Sequence, residues 1–128
     1  MRIIIAGGRD FDDEGKFFNV MESELKEIRK HHDVIEIVSG HCSGADSLGE
    51  RLAQKEHLAL KVFPAQWNKF GRAAGPIRNA EMCRYAKQDS GMLIAFWDGR
   101  SRGTKNIIRQ AFDCNLNVKT IYYNNKKA

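Results

Sequence analysis

Four short stretches of this 128-residue chain combine glycine with arginine, hydroxyl and carboxylate side chains. The first is Gly7-Gly8-Arg9-Asp10-Phe11. Two glycines let the backbone approach a ligand closely, and Arg9 offers a planar charged fork for phosphate or carboxylate. The spacing is not the GxGxxG dinucleotide fingerprint, so a plain nicotinamide-dinucleotide dehydrogenase is disfavoured. The second stretch is Ser39-Gly40-His41-Cys42-Ser43-Gly44-Ala45-Asp46. Small residues at the start of a helix leave backbone N–H groups for an anion, and the helix dipole reinforces them. Ser43 is the expected N-cap; Asp46 could cap the helix or bind a ribose hydroxyl. A P-loop is ruled out, because the Lys-Ser/Thr ending is missing.

The third stretch runs from Trp67 to Met82 and places Arg72, Arg78 and Asn79 beside two aromatics. Either Trp67 or Phe70 could stack a base; Phe70 is assigned to the core. Arg72 and Arg78 are candidates to hold phosphate. The fourth stretch is Asp98-Gly99-Arg100-Ser101-Arg102-Gly103-Thr104-Lys105. Free N–H groups, two hydroxyls and nearby positive charge suit it to phosphate.

These stretches are useful only if the fold brings them together. Ile3-Ile4-Ile5-Ala6 is a β-branched run ended by glycine, expected as a strand buried on both faces. Phe17, Val20, Met21, Leu25 and Ile28 recur at helical spacing and predict a helix over roughly 14–31. A strand over 34–38, a helix marked by Ala45, Leu48, Leu52 and Ala53, and a strand over 58–63 follow. Residues 64–76 read as a long irregular connection, of the kind that is usually functional. Pro76 suits the first turn of the next helix, where Ala80, Cys83 and Ala86 face inward. A strand over 91–96, a helix marked by Thr104, Ile107, Ile108, Ala111 and Phe112, and a strand over 118–123 complete the chain.

Strict β-α alternation predicts one α/β domain over 1–128 with a doubly wound parallel sheet of about five strands, for which the order 3-2-1-4-5 is expected. In such a sheet the ligand lies beyond the C-terminal strand ends at the switch in strand order. All four stretches converge there.

Composition narrows the class. The chain is 42% hydrophobic and 29% charged, which fits a globular domain rather than a disordered segment. The net charge of +5 favours anionic partners, and the run from Asn124 to Ala128 carries part of it. Cys42, Cys83 and Cys114 form no CxxC pair, and the four histidines have no metal spacing. Neither a disulfide framework, a metal nor a cofactor is expected; Cys83 and Cys114 are assigned to the core. The apolar start is too short for a signal peptide, and no run approaches membrane-spanning length. A cytoplasmic location follows as an expectation.

Gly7-Gly8-Arg9-Asp10-Phe11, Ser39-Gly40 with Gly44-Ala45-Asp46, Phe63-Pro64-Ala65 with Trp67, the block from Gly71 to Met82, and Ser101-Arg102-Gly103-Thr104 resemble the YspA-like (YAcAr) branch of the SLOG superfamily. Members occur in bacteria and phages. The resemblance implies a Rossmann-like fold and a nucleotide or nucleotide-derived small molecule as ligand. The four stretches and the resemblance together give the expected ligand contacts: Gly7, Gly8, Arg9, Asp10, Ser39, Gly40, Gly44, Ala45, Asp46, Trp67, Arg72, Arg78, Asn79, Gly99, Arg100, Ser101, Arg102, Gly103 and Thr104. The related LOG phosphoribohydrolases carry a glutamate three residues past the threonine of this turn; here that residue is Ile107. Sensing or sequestering a nucleotide is therefore the leading expectation. N-glycosidic hydrolysis, with Asp10, Asp46 or Glu81 as replacement carboxylates, is the first alternative. Nucleic-acid binding like that of the relative DprA is the second, disfavoured because the basic residues gather at one crevice rather than along a stripe. The LOG relatives also make a homodimer the expected assembly.

Overall fold

A computed structural model describes residues 1–124. Five strands form one parallel sheet: β1 (Arg2–Gly7), β2 (Glu36–Ser39), β3 (Ala59–Val62), β4 (Met92–Trp97) and β5 (Asn117–Tyr122). Their order is β3-β2-β1-β4-β5, the expected one. Ile3, Ile4 and Ile5 of the central strand are fully buried, because helices cover both faces.

The period-2 alternation of β1 divides the core. Ile3 and Ile5 pack with Phe17, Met21 and Leu25 of α1 (Glu14–Ile28) and with Leu48 and Leu52 of α2 (Ala45–Lys55). Ile4 and Ala6 face the other way, against Met82, Cys83 and Ala86 of α4 (Ala74–Lys87) and Ile107 and Ala111 of α5 (Arg102–Asp113). β2 and β4 pair with opposite sides of β1, so their following loops diverge above its C-terminal end.

Several local expectations need correction. The first helix ends at Ile28 rather than near residue 31, and β2 begins at Glu36, leaving Val34 outside it and 74% exposed. The pairing register sets that boundary, since Arg2, the first residue of β1, pairs with Glu36. The connection after β3 is not wholly irregular: it holds a short helix, α3 (Trp67–Phe70), and a 3-10 turn, Gly71–Ala73. Neither element has a buried residue, so neither leaves an apolar period in the sequence. Phe70 is exposed rather than in the core. α4 starts at Ala74, which puts Pro76 third in the helix but still in its first turn. Ala80 is only half-buried, Cys114 is the half-buried C-cap of α5, and Phe112 is exposed. Residues 125–128, most of the basic terminal run, lie outside the described residues. No helix among those described is long and apolar enough to cross a membrane.

Candidate functional site

The loop after β1 is held by its own backbone. Gly8 donates its N–H to the Phe96 carbonyl, while its carbonyl accepts from Phe11 and from Ala45. Phe11 is buried and stacks on Phe96 with 5.0 Å between ring centroids. Arg9 and Asp10, between those anchors, remain exposed. Asp10 accepts a 2.9 Å hydrogen bond from the Tyr123 hydroxyl, which sequence reasoning missed. Burial, then the neighbouring Asp10, pushes the Tyr123 phenol well above its ordinary range.

The loop after β2 leads into α2, whose N-cap is Gly44 rather than Ser43. Gly44 has φ of 76°, a left-handed conformation that disfavours any side chain. A Cβ there would also overlap the Gly8 carbonyl oxygen and Arg9 backbone. The Ser43 hydroxyl instead donates to the Arg9 carbonyl at 3.2 Å, tying the two loops together. Ser39 is fully buried and braces its own loop: it donates to Glu50 at 2.8 Å and accepts from the His41 N–H.

Asp46, 5% exposed, sits in the first turn of α2. Its Oδ2 accepts a long bond of 3.4 Å from the Cys42 N–H. Burial is the largest influence on it and outweighs the opposing effect of nearby Arg78, so its pKa is raised to about 6. Arg78 rises from α4 and is 9% exposed. Its Nη1 donates to the Gly40 carbonyl at 2.6 Å and its Nε to Asn79 Oδ1 at 2.9 Å. Asn79 passes the link on, donating to Asn106 Oδ1 at 3.0 Å across to α5. A Cβ on Gly40 would lie 2.6 Å from Arg78 Nη1 and 2.9 Å from Asp46 Oδ2, so glycine alone admits both groups.

The turn after β4 is organised by Asp98. Its Oδ1 accepts the N–H groups of Arg100 and Ser101, both at 2.8 Å, and these bonds hold its carboxyl below the usual aspartate range. Ser101 caps α5, accepting from the Thr104 N–H and meeting the Thr104 hydroxyl at 3.1 Å. Trp97 Nε1 donates to the Ser101 carbonyl. The N–H groups of Arg102 and Gly103, the next two at the helix start, have no intrahelical acceptor.

These loops enclose a cleft of about 710 Å³. Of the residues expected at the site, Gly7, Gly8, Arg9, Asp10 and Asp46 line it from one side. Trp67, Arg72, Arg78 and Asn79 line it from the α3–α4 segment, and Ser101, Arg102, Gly103 and Thr104 from the turn. Ser39, Gly40, Gly44 and Ala45 stand behind the wall as supports, Gly99 and Arg100 are exposed on the outer side of the turn, and Glu81 is not in the lining. Cys42, Asp98 and Asn106 line the cleft without having been expected as ligand contacts. For Asp98 a signal existed: aspartate opening a glycine turn commonly accepts the N–H groups that follow. Asn106 lies one helical turn into α5, and only the packing of α4 on α5 brings it to the site.

Four arginines and three aspartates share this lining. Asp98 is already engaged by two N–H groups of its own turn, and the arginines outnumber the aspartates, so the lining carries a net positive charge. Trp67 stands at the rim, 47% exposed, with the Arg9 guanidinium 5.7 Å from its ring centroid. Among the described residues, no group of three His, Cys, Asp or Glu is placed to hold a metal ion.

A five-stranded parallel sheet in this order, flanked by helices and with a cleft at the switch point, defines a Rossmann-like α/β protein. Residues 1–70 match the model of the YAcAr family, described as the YspA, cpYpsA-related SLOG family. The chain is also 30% identical over 115 residues to the Gene 61 protein of Mycobacterium phage D29, covering 86% of this chain and 87% of that one. The chain belongs to the YspA, cpYpsA-related SLOG family. No solved structure matches it.

Proposed function

We propose that the chain binds a nucleotide, or a phosphorylated molecule derived from one, in the cleft above β1 and β4. The N-terminus of α5 carries this reading: two N–H groups without intrahelical acceptors, at Arg102 and Gly103, adjoin the Ser101 and Thr104 hydroxyls on the cleft wall. A phosphate there would meet the positive end of the helix dipole. Trp67 at the rim offers an aromatic face for a base, and Arg9 and Arg72 add positive charge around it. The cleft volume lies within the range of ordinary small-molecule sites.

Native mass spectrometry of the purified protein should detect a co-purifying phosphorylated ligand. A thermal-shift screen of nucleotides should identify congeners, because a ligand at a hundred times its Kd stabilises the fold by about 2.7 kcal/mol. Absence of any response across phosphorylated ligands overturns the proposal.

Asp46 favours a second reading, cleavage of the nucleotide's N-glycosidic bond. A carboxyl with a pKa of about 6 in a ligand cleft is suited to exchanging a proton near neutral pH. Against this, Ile107, which replaces the glutamate of the LOG enzymes, is 1% exposed and belongs to the core. Release of free base from a nucleotide panel, lost in Asp46→Asn, supports hydrolysis; release unchanged by that substitution removes Asp46 from the chemistry.

A further inference from the structure

Asp46 and Arg78 are opposite charges buried side by side, yet they form no ion pair: no Arg78 nitrogen comes within 4.0 Å of an Asp46 carboxylate oxygen. Each is instead tied to the loop after β2. Asp46 Oδ2 takes the Cys42 N–H, and Arg78 Nη1 gives to the Gly40 carbonyl. Asp46 Oδ1 then has no protein donor and Arg78 Nη2 no protein acceptor. Among the described residues no fully buried side-chain polar atom lacks a partner, so these two open atoms are in reach of solvent. Those two atoms are not sealed off, and both residues open on the cleft. Water from the cleft reaches both atoms, and a ligand that displaces that water must supply a donor to one and an acceptor to the other.

The group that fits between them must donate to a carboxylate and accept from a guanidinium. A phosphate only accepts and would be repelled by Asp46; an ammonium only donates and would be repelled by Arg78. A hydroxyl does both, and its hydrogen bonds of about 2.8 Å on each side span a separation too long for direct pairing. Resting on the nucleotide reading above, we propose that Asp46 and Arg78 form a sugar-hydroxyl subsite, so that the ligand is a ribonucleotide with a free 2′- or 3′-hydroxyl and not its deoxy counterpart. The division of labour is then physical: the α5 turn holds phosphate, and the α2–α4 pair reads the sugar.

Sites built to hydrogen-bond a hydroxyl reject analogues lacking it strongly, because their polar groups are left unpaired. The test is calorimetric titration of the four ribonucleoside 5′-diphosphates against their 2′-deoxy and 3′-deoxy forms. The best ribonucleotide should bind at least about tenfold more tightly than one or both deoxy forms. In Asp46→Asn and Asp46→Ala, circular dichroism verifying the fold, that ratio should fall toward one. The phosphate-dependent part of affinity, measured with the deoxy form, should change much less. Equal binding of ribo and deoxy forms by the unsubstituted protein overturns the subsite and leaves nucleotide binding standing. A ratio that survives both substitutions overturns the role of Asp46. No binding of any nucleotide overturns the subsite and the underlying reading together.

Discussion

The loop after β2 and the turn after β4 look alike in sequence. Each is a glycine-rich link with hydroxyls that opens a helix, and each is suited on composition to cradle an anion. Folded, they do opposite things. Gly44 of the first is pressed onto the backbone of Gly8 and Arg9, the Ala45 N–H is taken by the Gly8 carbonyl, and a buried carboxyl, Asp46, fills the first turn of α2. In the second, a Cβ at either Gly99 or Gly103 would meet nothing within 4 Å, and the N–H groups at the start of α5 remain open beside the cleft. One helix start is consumed by the protein itself; the other stays open on the cleft. Composition alone does not separate them. What separates them is whether another part of the chain has already taken the space.

The largest effect expected from this difference is at Gly44. Gly44→Ala must adopt a left-handed backbone, which costs about 1–2 kcal/mol. It must also push the loop after β1 away, for a total loss of about 2–5 kcal/mol in denaturant unfolding. An alanine variant as stable as the parent would show that this loop is not packed as described.

Next comes Asp46, where the sign reverses. The folded carboxyl, with a pKa of about 6 against an ordinary 3.8, holds its proton more tightly than the unfolded one. Between those values the folded state carries more protons, so stability falls as pH rises through the window and the penalty is complete above it. At about 1.4 kcal/mol per pH unit, the penalty reaches about 3 kcal/mol. Asp46→Asn cannot ionise. It should be more stable than the parent by up to about 3 kcal/mol at pH 8 and equal to it below pH 4, as read by urea unfolding at the two pH values. A gain of stability with loss of ligand binding would mark the residue as kept for function. An Asp46→Asn that is destabilised at pH 8 would mean that Arg78 needs the charge more than burial resists it.

These two residues also show where sequence legibility ends. The β-branched runs and the β-α alternation are local, so the sheet, its order and the clustering of loops at one end can be read from them. The same holds for the placement of Arg9, Trp67, Arg72 and the 101–104 turn on one cleft. The locking of Gly44 depends on Gly8, and the environment of Asp46 on Arg78, contacts formed only once α2 and α4 dock on opposite faces of the sheet. Ser39, expected as a ligand contact, is fully buried and braces its loop through Glu50, which lies on the next helix. The α3 segment was invisible for another reason: with no residue buried, it carries no apolar period.

A smaller loss is expected at Asp98. Asp98→Ala removes an acceptor of two N–H bonds and should cost about 1–2 kcal/mol. Because its folded pKa is depressed, the contribution is full above the ordinary value of 3.8 and disappears as the pH falls below it, opposite in sign to Asp46. The turn should loosen, so phosphate-dependent affinity should fall together with stability. If affinity for a phosphorylated ligand is untouched, the turn is not the phosphate holder.

The smallest effect on stability, and the sharpest contrast with Gly44, is expected at Gly103. Both glycines stand at a helix start, yet an added methyl at Gly103 meets nothing within 4 Å and needs no unusual backbone. Alanine loses less conformational entropy than glycine, so Gly103→Ala should be neutral or more stable by about 0.5 kcal/mol. Its cost should fall on the ligand: the methyl occupies the approach to the N–H groups of Arg102 and Gly103, and affinity for a phosphorylated ligand should drop about tenfold or more. Thermal unfolding of the apo protein and calorimetry with the ligand separate the two quantities. Loss of affinity at unchanged stability means that the space beside Gly103 is kept open for the ligand, as the space beside Gly44 is not. Loss of stability without loss of affinity would reverse that assignment and make both glycines structural.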